Sequence, residues 1–446
     1  MATDEVIIFK SINIVNEGTI INADVMVCGD RITKIAPVIN ASGLEINGMS
    51  KYLMPGIIDD QVHFREPGFP AKGNIATESA AAAAGGITSY MEMPNTKPEA
   101  ITLQLLEEKY QRAAKTSVVN YSFYLGATEH NLDVIKSADY NQVCGVKIFM
   151  GSSTGNLLVE SDTALEEIFK ECPALIATHC EDEMTIRNNL QKFKVRYGDM
   201  ITPPMHPQIR SAEGCYLSSF KAVNLARKHN TRLHILHIST ARELSLFEIK
   251  DRREKRITSE ACVHHLYFDD KNYAQLGNKI KCNPAIKSSE DREAILQGVL
   301  DGRIDVIATD HAPHTEEEKA LPYLQAPAGL PLIQQSLQLM LYHYKKGSIT
   351  LEQIVDKMCH APADIFKIKE RGYIREGYFA DLVMVDIHDY ETIEKDNLLY
   401  KCKWSPLEGV TLPGRILGTW VNGSQVYKEG KLLPHKPAKR LNFQFS

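Results

Sequence analysis

The sequence lacks the cysteine pattern of a disulfide framework or of a cysteine-rich zinc site. Its nine cysteines lie singly between Cys28 and Cys402, and none belongs to a C-x-x-C pair. An odd number of isolated cysteines is typical of reduced thiols in a cytoplasm. We therefore expect neither disulfide bonds nor a metal site built from cysteines.

Further absences narrow the class of protein. No apolar run approaches the length needed to cross a bilayer, and the acidic start MATDEVIIFK has no apolar segment of a secretory signal. The net charge of −5 gives no reason to expect nucleic acid or an anionic membrane as a partner. There is no low-complexity tract and no repeat of fixed period. These features predict a cytoplasmic globular protein.

The order of strand-like and helix-like segments predicts the fold. The first fifty residues are short β-branched runs separated by turns, and the near-continuous apolar stretch 51–64 predicts a strand buried on both faces. Strands and helices then alternate. Seven further strand candidates follow it: GGITSYMEM, NYSFYLGA, QVCGVKIFM, ALIATHC, RLHILHI, RITSEACVHHL and RIDVIATDH. Eight strands with helices between them predict a (β/α)₈ TIM-like barrel.

Short strands return after about Asp364, in GYFADLVMVD, RILGTWVNG and SQVYKEGK. The simplest assembly joins both chain ends in one small β-sandwich domain beside the barrel. We therefore expect sandwich segments over 1–53 and 365–446, with the barrel over 54–364.

Residues with metal-binding side chains stand at the strand ends, where TIM barrels carry their active sites. They are Gln61 and His63 on the first strand, Lys147 on the fourth, His179 on the fifth, His237 on the sixth and Asp310 on the eighth. A lone histidine at a strand end is more often structural, and we interpret His234, three residues before His237, in that way. Several such residues on one side of the fold instead indicate a binuclear divalent-metal site.

The same segments carry a family resemblance. PGIIDDQVHFREPG, AAAAAGGITSYMEMPNTKP and IATDHAPHT together resemble the dihydroorotases of the amidohydrolase superfamily, and the closing GYFADLVMVD resembles that superfamily's return to the sandwich. The resemblance implies two zinc ions, one held by His63 and Asp310 and the other by His179 and His237. It also implies a carbamate on Lys147 that bridges both ions, whereas the alternative is an ordinary barrel lysine.

Gln61 departs from the family pattern, which has His-x-His on the first strand. A glutamine oxygen is a poorer zinc ligand than an imidazole nitrogen, because zinc prefers nitrogen and sulfur donors. The sequence thus leaves two outcomes open, two zinc ions per chain or one. Asp59 and Asp60 are additional carboxylates on the same strand.

The implied reaction is the reversible cyclisation of N-carbamoyl-L-aspartate to dihydroorotate in pyrimidine biosynthesis. In the hydrolytic direction a metal-held hydroxide would attack the ring amide, with Asp310 as general base and then acid. Arg65 has the planar fork that suits the substrate carboxylate, and the resemblance adds Asn95 and His314 to this clamp and Asn283 near the ring. The stretch 315–331 is a candidate loop for closing over the site.

Two other functions remain open from the sequence. Allantoinases and hydantoinases share the scaffold, although allantoinases usually have asparagine where this chain has Arg65. The other is an inactive dihydroorotase homologue that serves as a structural partner of aspartate transcarbamoylase, since Gln61 is the loss of one metal ligand. A homodimer is the expected oligomer.

Overall fold

A computed structural model of the chain describes residues 6–151 and 157–445. The first part of the chain forms five short strands: β1 Val6–Asn16, β2 Thr19–Cys28, β3 Arg31–Ala36, β4 Leu44–Asn47 and β5 Tyr52–Pro55. Strands β1, β2 and β3 are antiparallel neighbours, while β4 and β5 run parallel to β1. The β-rich character predicted for the first fifty residues is thus present.

A barrel of eight parallel strands follows. Its strands are β6 Ile57–Val62, β7 Ile87–Glu92, β8 Asn120–Phe123 with its continuation β9 Leu125–Gly126, β10 Val146–Phe149, β11 Ile176–His179, β12 Leu233–Ile235, β13 Ile257–Cys262 and β14 Val306–Ala308. Each pairs with the next in parallel, except that Tyr124 alone separates β8 from β9. The backbone N–H of His63 donates to the His311 carbonyl at 2.8 Å, which joins the ends of β6 and β14 and closes the ring.

Helices surround the barrel. They are α1 Ile75–Ala84, α2 Leu103–Thr116, α3 Leu132–Ser137, α4 Asp162–Glu171, α5 Glu183–Tyr197, α6 His206–Ile209, α7 Ala212–His229, α8 Val263–Tyr267, α9 Tyr273–Leu276, α10 Ser289–Asp301, α11 Glu316–Lys319, α12 Ser336–Lys345, α13 Leu351–Val355 and α14 Ala361–Phe366. Most of the long ones begin at a Ser, Thr, Asn or Asp whose side chain accepts a hydrogen bond from a backbone N–H of the first turn, such as Asn74 at α1. Within the described ranges, no helix combines the length and the apolar character that a membrane crossing requires.

The chain returns to the first sheet in four strands: β15 Leu382–Thr392, β16 Thr411–Val421, β17 Ser424–Lys428 and β18 Lys431–Leu432. Strand β15 pairs with β5, which gives the order β18-β17-β16-β15-β5-β1-β2-β3 with β4 beside β1. The sheet curls on itself, because Phe9 of β1 meets Trp420 of β16 edge to face at 4.9 Å. The predicted barrel with a β-rich unit made from both chain ends is confirmed.

One detail of the strand prediction is wrong. The stretch 51–64 is two strands rather than one, because β5 pairs within the β-rich sheet and β6 begins the barrel. Gly56 lies between them, and a Cβ there would stand 2.0 Å from Thr88 Oγ1. Only glycine therefore allows the chain to pass so close to β7 while it changes sheets.

Candidate metal centre and active site

A narrow cavity opens at the carboxyl ends of the barrel strands. It is lined by all six residues that the sequence places at those ends, together with five others: Gln61, His63, Lys147, Phe149, His179, His237, Asn283, Asp310, Ala312, Ala328 and Gly329. The barrel thus brings the predicted donors from β6, β10, β11, β12 and β14 to one place, as its topology requires.

His63 and Asp310 form the first pair of donors. His63 Nε2 lies 3.1 Å from Asp310 Oδ1, while its Nδ1 is 2.8 Å from the amide oxygen of Asn95. Since an amide oxygen only accepts, Nδ1 carries the proton and Nε2 faces the cavity. Burial lowers the pKa of His63, and although burial alone would raise the pKa of Asp310, its contact with His63 leaves it lowered. A neutral imidazole beside a carboxylate is the protonation state that metal binding needs.

His179 and His237 form the second pair. His179 Nδ1 lies 3.0 Å from His237 Nε2, and His179 Nε2 donates to Glu181 at 3.0 Å. Burial lowers the pKa of both histidines. Burial would raise the pKa of Glu181, but the Arg210 guanidinium and then His179 bring it to about 2. Glu181 is therefore a fixed acceptor that orients His179, a role the sequence analysis missed although Glu181 follows a strand end by two residues.

Lys147 stands between these pairs. Its side chain is 1 % exposed, its Nζ lies 4.7 Å from the centre of the Phe149 ring, and within the described ranges Nζ has no hydrogen-bond partner. Burial lowers the pKa of Lys147 to about 7. An unpaired buried ammonium is costly, so the lysine is held in an environment that favours the neutral amine.

Gln61 also lines the cavity. Its side-chain oxygen lies 3.8 Å from the Cys262 sulfur, and the residue is 2 % exposed. Of the two other carboxylates on this strand, Asp59 is bound by Thr309, and Asp60 lies deeper in the barrel beside His234. Neither lines the cavity, so neither takes the place of the missing imidazole there.

The donor distances test whether a metal fits this site. Two ligands at 2.0–2.1 Å from a tetrahedral zinc stand about 3.3 Å apart. The separations of 3.1 Å between His63 and Asp310 and of 3.0 Å between His179 and His237 agree with that value. The residues present therefore fit a divalent cation at each pair, with Lys147 between them.

The three residues predicted to bind the substrate carboxylate lie behind the cavity wall rather than on it. Asn95 contacts His63, whereas Arg65 Nε donates to the Pro313 carbonyl at 3.1 Å and its Nη2 lies 3.1 Å from His314 Nε2. His314 Nε2 is also 2.9 Å from the carbonyl of Ala328, a cavity residue. His314 thus connects the guanidinium to the layer of residues that lines the cavity.

Positive charge accumulates around His314. Lys72 Nζ lies 3.0 Å from His314 Nδ1 and 2.9 Å from Glu318. Burial, and next the charge of Arg65, lower the pKa of His314 well below its usual range, so the imidazole is neutral. Burial lowers the pKa of Arg65 to about 10, which leaves the guanidinium charged at neutral pH.

Asn283 and the 315–331 stretch complete the surroundings. Asn283 lines the cavity, and its buried side-chain oxygen has no hydrogen-bond partner in the part of the chain that the structure describes. The stretch 315–331 contains α11 and reaches the cavity through Ala328 and Gly329, which the sequence analysis did not single out individually. Phe149 is another lining residue found only in the structure.

Comparisons with known proteins agree with this architecture. Residues 52–426 match the amidohydrolase family. The dihydroorotase of Anoxybacillus flavithermus is 33 % identical over 441 residues, with 95 % of this chain and 99 % of the relative covered. That of Bacillus subtilis is 32 % identical, covering 94 % and 98 %.

Among solved structures, the L-hydantoinase (dihydropyrimidinase) of Arthrobacter aurescens superposes with a TM-score of 0.93 at 25 % identity, covering 98 % of this chain and 100 % of the other. Dihydropyrimidinase from Brevibacillus agri, at 23 % identity, has a TM-score of 0.89 with 98 % and 99 % covered. Because the family match spans most of the chain and the curated relatives align end to end, the chain belongs to the amidohydrolase family.

Proposed function

We propose that this cyclic amidohydrolase is a dihydroorotase, which interconverts N-carbamoyl-L-aspartate and dihydroorotate. The observation that carries the proposal is the buried guanidinium of Arg65. The residue is 3 % exposed, and in the described part of the chain no carboxylate lies within 4.0 Å of it. A buried, charged group without a counter-ion is expensive, so its charge favours a ligand that carries a carboxylate in the adjoining cavity, to which Arg65 is connected through His314.

The neighbours of Arg65 support an anionic substrate. Lys72 Nζ contacts His314 Nδ1 on the side away from Arg65, and Glu318 is the acid that contacts both Lys72 and His314. Dihydroorotate carries one carboxylate on its ring, whereas the rings of hydantoin and dihydrouracil carry none. The cations of Arg65 and Lys72, set against the single carboxylate of Glu318, therefore favour dihydroorotate over those neutral rings.

The donors described above are the residues that would hold the metal. His63 and Asp310 would take one zinc ion and His179 and His237 the other, with Lys147 as a carbamate between them. A lysine whose pKa is near 7 is available as the neutral amine that reacts with carbon dioxide. Zinc bound there would supply Lewis acidity, which lowers the pKa of water and polarises a carbonyl. Gln61 makes a single firmly held ion the alternative.

Asp310 is the proposed proton carrier. Its lowered pKa keeps it ionised at neutral pH, so it is ready to take a proton from the attacking water. His63 Nδ1–H donates to the amide oxygen of Asn95, which fixes the imidazole ring with its Nε2 3.1 Å from the Asp310 carboxylate. After attack on the ring amide, Asp310 hands the proton to the departing ring nitrogen. The free oxygen of Asn283 is suited to accept an N–H of the same ring.

A turnover assay with four cyclic substrates tests the proposal. The zinc-loaded chain is assayed with dihydroorotate, hydantoin, dihydrouracil and allantoin, and kcat/KM for dihydroorotate is expected to exceed the others by about thirtyfold or more, which corresponds to about 2 kcal/mol from an interaction with a charged group. Preference for hydantoin or dihydrouracil would make the chain a hydantoinase, the activity named for its structural neighbours.

A separate outcome concerns the inactive alternative. A folded, metal-loaded chain that turns over none of the four rings, and that co-purifies with aspartate transcarbamoylase, would instead support a structural partner. Gel filtration of the same preparation tests the expected homodimer.

A further inference from the structure

A second polar cluster lies inside the barrel, deeper than the cavity. It consists of Asp60 on β6, His234 on β12 and Glu260 on β13, each with 0 % exposure. The His234 ring is 5.6 Å from the ring of Phe366, in the apolar group that closes the base of the barrel. The cluster therefore stands between the cavity donors and the base.

The inward-facing atoms of this cluster are unsatisfied. Both carboxylate oxygens of Asp60, Oε2 of Glu260 and Nε2 of His234 make no hydrogen bond in the described ranges, and their one close contact is the 3.1 Å between His234 Nε2 and Asp60 Oδ2. No lysine or arginine nitrogen of the described residues lies within 4.0 Å of either carboxylate. Two buried carboxylates beside one imidazole are costly to keep without further positive charge.

The distances between these atoms suit a shared cation. His234 Nε2 is 3.1 Å from Asp60 Oδ2 and 4.0 Å from Glu260 Oε2, and one ligand atom of each residue lies within 4.8 Å of the others. Two ligands of a tetrahedral zinc ion are about 3.3 Å apart. Small adjustments of buried side chains would bring all three atoms to that spacing.

Hydrogen bonds on the outer side of His234 and Glu260 leave Nε2 and Oε2 directed toward the centre of the cluster. His234 Nδ1 is 2.7 Å from Thr258 Oγ1, so the hydroxyl fixes the ring while Nε2 faces the carboxylates. Glu260 Oε1 accepts from the backbone N–H of His237 at 3.0 Å and from the Cys262 thiol at 3.3 Å, which turns Oε2 toward His234. Metal-binding histidines and carboxylates are commonly oriented by outer contacts of this kind.

We propose that Asp60, His234 and Glu260 hold one divalent transition-metal cation inside the barrel, separate from the donors that line the cavity. The two carboxylates balance the charge of such an ion, and the imidazole favours zinc, iron or nickel over magnesium and calcium. The ion would tie β6 to β12 and β13 and so support the strand ends that carry His63 and His237. This site does not depend on which ring the enzyme hydrolyses.

Anomalous diffraction from the zinc-loaded full chain tests the site directly. Data collected above and below the zinc absorption edge are expected to show a peak among the three side chains, apart from any peak at the cavity. A map in which zinc occupies the cavity but not this cluster would overturn the proposal, and would mean that shared protons neutralise the carboxylates.

Metal analysis of variants gives an independent measurement. Asp60→Asn and Glu260→Gln are each expected to lower the zinc content by about one equivalent, because amide oxygens are poor zinc ligands. Glu243→Gln is the matched control, since Glu243 is equally buried but is bound by the hydroxyls of Ser219 and Thr240. Unchanged zinc content in folded Asp60→Asn and Glu260→Gln would contradict the site. If the variants do not fold, the anomalous map of the wild-type chain tests the site instead.

Discussion

Three residues of the site have left-handed backbone conformations that non-glycine residues rarely adopt. The φ angles are 69° at Arg65, 42° at His237 and 45° at Asp310, and each residue follows the end of a barrel strand. Such a conformation costs about 1–3 kcal/mol and persists where the surroundings enforce it. In all three cases the turn of the backbone directs a side chain toward the cavity or the layer behind it, so the strain belongs to the site.

Arg65→Met tests the carboxylate-binding role at the residue scale. Methionine fills a similar volume but removes the charge, so kcat/KM for dihydroorotate should fall by about 2 kcal/mol, roughly thirtyfold, mainly through a higher KM. Steady-state kinetics measure the change. Arg371→Met is the control, because Arg371 is an equally buried arginine paired with Asp381 in a hydrogen-bond network away from the cavity. An unchanged KM in Arg65→Met would remove Arg65 from substrate binding.

The sequence predicts the cavity residues because strand ends of a barrel meet in space. It does not predict the interior cluster, because that prediction would require the side chains of β6 to alternate regularly between the two faces of the strand. Strict alternation would send Asp60 and Gln61 to opposite faces, but the pairing of β6 with β7 shifts register between Asp59 and Val62. Asp60 therefore points into the barrel while Gln61 and His63 line its mouth.

At the scale of elements, the last residues of the chain return to the barrel. Leu441 N–H donates to the Tyr121 carbonyl at 2.9 Å, and Phe443 N–H donates to the Asn141 carbonyl at 2.9 Å. Both side chains are buried in the apolar group at the barrel base. The sequence did not predict this contact, because a short apolar stretch such as LNFQF has no period that indicates its partner.

Phe443→Ala tests the contribution of this returning segment. Phe443 is 2 % exposed, so the substitution should lower the free energy of unfolding by about 3–5 kcal/mol through lost burial and a cavity. Denaturant unfolding measures it, and Phe445→Ala is the control because Phe445 is 42 % exposed. The cavity lies at the opposite end of the barrel, so kcat should be unchanged in Phe443→Ala. Equal stability of the two variants would show that the segment does not support the barrel.

At the scale of the whole molecule, the sequence predicts the barrel but not how the β-rich sheet curls. Eight strands could be counted from the sequence because each is a separate apolar run. The curl of the nine-stranded sheet could not be predicted from the sequence, since Phe9 and Trp420 meet only after both chain ends have folded together. Pairing between residues so far apart in sequence leaves no local pattern to read.

Metal removal should affect the stability of the whole barrel. The donors His63, His179, His237 and Asp310 come from four strands, so an ion held by them binds the folded chain and not the unfolded one. At a hundredfold excess over its Kd, such an ion adds about 2.7 kcal/mol, which corresponds to a Tm shift of roughly 3 °C for a chain of this length. Calorimetry before and after chelation measures the shift, and added zinc should reverse it. His179→Ala should show a smaller shift than the wild type, because it already lacks one donor. A chelated chain that loses its metal with no change in Tm would mean that the barrel holds these donors in place without help from the ion.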